Sequence, residues 1–180
     1  MNIREDAIYG RQSVDRKDSI SIEIQEKLFA QATALLEERG LLLKRGTIVD
    51  STLISAPSST KNAEKRRDPE AHSTKKGNTW HFGYKAHIGV DKDTGLVHTV
   101  KVTAANVHDV TMTAELLSGE EESVHGDSEY LGAKKREDAI LRNRNGKKIR
   151  YKINRRPSQS KNASARSKAQ IKRREREKSS

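Results

Sequence analysis

The apolar positions change period along the chain, and each change predicts an element. Residues 1–20 are polar and carry no clear period. From Ile24 onward, Ile24, Leu28, Ala32, Leu35 and Leu36 recur at helical spacing, which predicts an amphipathic helix with a buried stripe, stopped at Gly40. Residues 46–54 are β-branched and mostly apolar and predict a buried strand with one carboxylate, Asp50, inside it. Residues 55–78 read as a long polar loop. Strict alternation follows: Trp80, Phe82, Tyr84, Ala86, Ile88 and Val90 on a core face, against His81, Gly83, Lys85, His87 and Gly89. A turn at residues 91–95 joins this strand to a second one over residues 96–104, so part of the sheet is antiparallel. Asp109 is placed to cap a helix reaching Leu117. A short strand over residues 123–127, a helix near residues 133–142 and a last strand over residues 148–153 complete the pattern. Helices alternating with strands after an early hairpin describe an α/β mixed sheet flanked by helices.

A length of 180 residues suits about one domain. The charge sharpens this picture. Residues 132–180 hold 19 of the 36 basic side chains and only 4 of the 25 acidic ones, so a net +15 sits in the last quarter of a chain whose total is +11. Such a basic segment is an electrostatic partner for phosphate, with DNA the first candidate, or else a solvated tail. Cysteine is absent, which excludes disulfides, thiolate metal sites and cysteine nucleophiles. The longest apolar run is Leu41-Leu42-Leu43, far short of the roughly 18 residues of a membrane span. The first residues lack an apolar signal region, so a soluble, cytoplasmic protein with no membrane partner is expected.

Two carboxylates stand out by position. Asp50 lies in the first predicted strand and Asp127 at the end of the fourth. If those strands are neighbours, the two carboxylates meet, and such a pair shares a proton or binds a hard cation such as Mg²⁺ or Mn²⁺. The alternative is that both aspartates cap turns. Lys61, Lys65, Arg66, Arg67, Lys75 and Lys76 populate the polar loop. Lys85 shares a strand face with His81 and His87, and Lys172, Arg173, Arg174 and Arg176 crowd the tail. These basic residues are candidates for DNA-backbone contact, or for solvent. The six histidines lack metal-site spacing and are read as polar-face residues, and Trp80 as core rather than a base-stacking platform.

Four segments together resemble a known family: Ile48-Val49-Asp50-Ser51-Thr52-Leu53-Ile54, Trp80-His81-Phe82-Gly83-Tyr84-Lys85-Ala86-His87, Ala105-Asn106-Val107-His108-Asp109 and Gly126-Asp127-Ser128-Glu129-Tyr130. In this order they resemble bacterial DDE transposases of the insertion-sequence-five family, from about Leu28 into the basic tail. The resemblance implies a ribonuclease-H-like fold and a triad of two Asp and one Glu holding two divalent metals. The first two members map onto Asp50 and Asp127. It implies DNA, as transposon ends and target, for substrate, and a homodimer for the full-length enzyme. The third carboxylate is expected in a pattern Tyr-x-x-Arg-x-x-x-Glu-x-x-x-x-x-x-Lys. Arg173 and Glu177 have its Arg-to-Glu spacing, but Gln170 stands where Tyr is expected and the Lys would fall at 184, so Glu177 is not assigned. The expectation is a poorly structured segment over residues 1–25, a partial catalytic core over 26–154 that is incomplete at its C-terminal end, and a basic tail over 155–180. That describes a truncated or frameshifted transposase of impaired activity, or alternatively a non-catalytic DNA-binding remnant or regulator.

Overall fold

The computed structural model describes residues 16–61, 66–155, 172, 173 and 176. Helix α1 (Arg16–Glu38) begins well before the periodic stretch that predicts it. It ends where expected. Gly40 takes the left-handed conformation, its amide donates to the Glu37 carbonyl, and the Leu41 amide donates to the Leu36 carbonyl. This pair of bonds satisfies the last carbonyls of a helix when a glycine follows it. The stripe is a different matter. Ile24, Leu28, Phe29 and Leu35 face outward, Leu28 at 59% exposure, so the helix does not bury the stripe that its period suggests.

Six strands form one sheet: β1 (Gly46–Ser55), β2 (His72–Lys76), β3 (Thr79–Asp91), β4 (Val97–Ala104), β5 (Ser123–Gly126) and β6 (Arg150–Ile153). The long β3 pairs antiparallel with β1 along one edge and with β4 along the other, and its first residues pair with β2. Beyond β1, the strands β5 and β6 run parallel to it. The order β4-β3-β1-β5-β6, antiparallel on one side and parallel on the other, is the ribonuclease-H-like arrangement. Strand β2 lies inside the segment expected to be loop. Its sequence, His-Ser-Thr-Lys-Lys, has no apolar residue, and its ladder to β3 alone makes it a strand.

The core lies mainly on one face of this sheet. Val49, Leu116, Val124, Tyr130 and Ile149 form its buried cluster. Gly89 of β3 belongs to the same face and lets the Leu116 carbonyl approach so closely that a Cβ there would stand 2.5 Å from the oxygen. The residues expected to pack as core on β3 occupy the opposite face. There Tyr84 is buried with Ala71 and Val102 in a second, smaller cluster against which Phe82 and Ala86 pack, but Ile88 and Val90 are only half-buried and Trp80 is 68% exposed, whereas His87 and Asp91 on the first face are fully buried. Alternation correctly separates two faces, but it assigns the apolar one to the core by default. Here the connections between β4 and β5 cover the face with His87 and Gly89.

Those connections are also shorter in helix than their sequence suggests. In place of a helix after Asp109 there are two single 3₁₀ turns, Asp109–Met112 and Ala114–Leu116, and near residue 133 only Ala133–Lys135 is helical. Asp109 caps neither. The first turn is preceded by His108 with no side-chain cap, because the Asp109 carboxylate is used elsewhere.

Two buried acids fasten the ends of the sheet. Asp91 accepts from the amides of Leu43, Lys44, Asp93 and Thr94, tying the entry of β1 to the β3–β4 turn. Burial opposes its ionisation, yet these four donors outweigh that and hold its carboxyl below the ordinary value. Glu121 accepts from the Thr47 hydroxyl at 3.0 Å and from Ser118 and Gly119, which brings the start of β5 against the start of β1. His98 completes that group. With the Thr47 proton given to Glu121, its Nε2 donates to Thr47 at 3.1 Å and its Nδ1 accepts from Thr99. His98 and His125 are therefore buried members of the interior and do not lie on a polar face as their sequence context suggests.

Candidate active-site cleft

The parallel pairing of β1 with β5 sets the geometry of the site. Thr47 stands opposite Val124 and Ile48 opposite His125. Two residues further along each chain come Asp50 and Asp127. Adjacent strands lie about 4.8 Å apart, so the two aspartates are neighbours at the point where both strands leave the core. Val49 is fully buried and Asp50 exposed; Gly126 is buried and Asp127 half-buried. Gly126 makes this possible, since a Cβ there would stand 3.1–3.2 Å from Val49, Tyr130 and Ile153. Asp127 also serves as a cap, its Oδ1 accepting from the Glu129 amide at 2.9 Å ahead of the 3₁₀ turn Ser128–Tyr130. The two readings of Asp127 are thus compatible, because one oxygen caps a turn while the other stays available.

Both aspartates line a cleft of about 310 Å³. Its other walls include Ser51 and Leu53 of β1, Lys75 and Lys76 of β2, Lys85 of β3, and the acids Asp109 and Glu129. Lys85 is fixed in place, its Nζ donating to Asp109 Oδ1 at 2.9 Å and to the Val107 carbonyl at 2.8 Å. Behind it His87 is buried, with Nε2 2.8 Å from the Thr103 hydroxyl and Nδ1 unpartnered, 3.8 Å from Asp109. Burial lowers the His87 pKa, with Asp109 opposing and Lys85 adding to the effect. Tyr130 lies under the cleft with its hydroxyl buried and Ser51 its nearest polar neighbour. Burial pushes its pKa up, and the charges of Asp109, Asp50 and Asp127 push it further, so the three acids converge on this ring.

Of the residues singled out by sequence, Asp50, Asp127, Lys75, Lys76 and Lys85 come together here. Lys61, Arg66 and Arg67 do not line the cleft; Arg67 donates to the Ser58 carbonyl and lies over the Phe82 ring. Lys172, Arg173 and Arg176 are helical and exposed, while Lys65 and Arg174 lie outside the described residues. Asp109 and Glu129 line the cleft and Tyr130 lies under it; the sequence reading gave Asp109 only a helix cap and the other two no role. Their signal was present, since all three fall within the motifs quoted above.

Paired carboxylates on adjacent strands, open to a polar cleft, are hard oxygen donors of the kind Mg²⁺ or Mn²⁺ takes. Among the described residues no three His, Asp or Glu side chains converge at metal-binding distance, and Asp109 is already engaged by Lys85. The donor set therefore fits one side of a divalent-cation site, with Asp50 and Asp127 the residues that would hold it.

The Transposase DDE domain family matches residues 42–177. The chain belongs to that family. Transposition is the function of the family, DNA its partner and divalent metal its usual requirement. No solved structure matches the chain. Within this transposase domain the match begins at Leu42, immediately before β1, and takes in the whole sheet. No helix among the described residues is long and apolar enough to cross a membrane.

Proposed function

We propose that this domain acts on the phosphodiester backbone of DNA at the ends of an insertion sequence, with Asp50 and Asp127 as the acids that hold Mg²⁺ or Mn²⁺. The observation that carries this reading is the meeting of Asp50 and Asp127 at one cleft, 77 positions apart in sequence and neighbours on parallel strands. A divalent pair in such a site stabilises the attacking and leaving oxygens of an in-line displacement at phosphorus. The protein's own part is to gather the DNA. Lys75 and Lys76 on one wall neutralise phosphate, and Lys85, held by Asp109, presents a fixed positive charge beside the two acids. The four motifs support placement within the insertion-sequence-five family, acting at its transposon ends and target as a homodimer in the full-length enzyme. Two carboxylates alone support metal binding better than complete strand cleavage and joining, so the activity proposed for them without a third acid is weak.

Titration with Mn²⁺, followed by electron paramagnetic resonance, tests the site. Wild-type protein should bind the ion, and Asp50→Asn and Asp127→Asn should each abolish that binding while DNA affinity remains. Unchanged Mn²⁺ binding in both variants would refute the assignment. DNA binding without any Mn²⁺ uptake by the wild type would favour a non-catalytic DNA-binding role. Robust nicking of end DNA would refute the weak-activity expectation.

A further inference from the structure

The tip of the β2–β3 hairpin carries an exposed aromatic residue that no packing explains. Lys76 pairs with Thr79, so the turn is only Gly77-Asn78, with Gly77 at φ +62°. One step from the turn, Trp80 stands directly opposite Lys75. Residues i and i+2 of a strand share a face, so Phe82 follows Trp80 on the same side, and the Arg67 guanidinium lies 5.6 Å from the Phe82 ring centre. The exposed tip therefore presents Lys75 and Trp80, with the half-buried Phe82 and the Arg67 guanidinium next along the same side. Trp80 is the only tryptophan of the chain and is 68% exposed. Lys75 and Lys76 have no carboxylate partner among the described residues, and they also line the cleft of Asp50 and Asp127.

Proteins that bind unpaired nucleic acid combine basic side chains along the backbone with aromatic faces on which bases stack. An indole left in water costs free energy that a core position would have avoided, and here it stands among cations at the edge of an acidic cleft. We propose that the β2–β3 hairpin is a holding site for an unpaired stretch of DNA, with one base stacked on Trp80 and its flanking phosphates on Lys75 and Lys76. This rests on the transposase reading and extends it, because the hairpin would keep a frayed or single-stranded end beside Asp50 and Asp127. Of the aromatic residues of early β3 only Trp80 stands in the open, since Phe82 and Tyr84 pack with Ala71 and Val102.

Because Trp80 is the sole tryptophan, its emission reports this contact directly. Oligothymidine should quench it and shield it from iodide, while the anisotropy of a labelled oligonucleotide reports binding by the whole chain. DNA with a single-stranded overhang should bind more tightly than blunt duplex. Trp80→Ala should weaken overhang binding about tenfold, and Trp80→Phe should restore most of it. Since the side chain is exposed, the melting temperature of Trp80→Ala should match the wild type. Binding by anisotropy with unchanged Trp80 emission and unchanged iodide access would overturn the hairpin site and leave the transposase reading intact. Absence of any DNA binding at low salt would overturn both.

Discussion

Asp91 offers the sharpest test of how the sheet is assembled. Its carboxylate accepts at 2.7 Å from Leu43, 2.6 Å from Lys44, 2.8 Å from Asp93 and 3.1 Å from Thr94. Asp91→Ala removes both acceptor oxygens and with them all four bonds. Asp93 and Thr94 sit in an exposed turn where water can take over. The Leu43 and Lys44 amides are held by nothing else, and Lys44 adopts a left-handed backbone, φ +49°, that a lysine does not favour. Hydrogen bonds to a charged group contribute about 1.5–3 kcal/mol each, so loss of the two strand-entry bonds costs roughly 3–6 kcal/mol. For a chain of this length that is a fall of about 6–24 °C in melting temperature. Asp91→Asn keeps an oxygen without the charge and should fall about half as far. Urea unfolding followed by far-ultraviolet circular dichroism is the suitable assay, because the exposed Trp80 reports little of the core. The pH dependence follows from the depressed pKa. The stabilisation is complete above the ordinary carboxyl value near 3.8 and is lost as pH falls through the lower folded value. An Asp91→Ala variant within about 1 kcal/mol of wild type would refute this account of the β1 entry.

Three further outcomes follow from the interior and the cleft. His87 and His98 are both buried with pKa values lowered by that burial, so the unfolded chain takes up protons first. Stability should fall as pH drops below about 6.5, and a His87→Gln, His98→Gln double variant should flatten the decline between pH 7 and 5 in calorimetry. Gly89→Ala would press a methyl onto the Leu116 carbonyl and should destabilise by about 1–3 kcal/mol in urea; a neutral result would mean that the Leu116 turn is free to move. Removing Lys75 and Lys76 together should lower the slope of log affinity for DNA against log salt by about 2, and an unchanged slope would place the DNA elsewhere.

The sheet was legible in the sequence wherever apolar and β-branched residues repeat, as in β1, β3 and β4. Asp50 was legible too, as a carboxylate at odds with its surroundings. Strand β2 was not, because its partner creates it and its own residues do not. The helix expected after Asp109 fails for a related reason. Its apolar residues, Met112 and Leu116, are buried by tight 3₁₀ turns against Gly89, and Asp109 is drawn to Lys85 in place of a cap. Period alone also assigned the apolar face of β3 to the core, which holds for Tyr84 and fails for Trp80. The inversion there moved Trp80 outward and His87 inward. The convergence of Asp50 with Asp127 depended on β1 and β5 being neighbours, which no local pattern encodes.

The ladder that joins β1 to β5 is only three residue pairs long. One added residue between Gly46 and Asp50 would turn the acid to the reverse side of the sheet, whereas the stretch between Ser55 and His72 holds no part of that ladder. Length is therefore tightly fixed between Gly46 and Asp50, while the second stretch is tied instead by Asp68, which accepts from the Tyr84 hydroxyl, and by the buried Ala71. Descendants of this gene can vary the second stretch without moving the two acids apart as long as Asp68 and Ala71 keep their places against Tyr84.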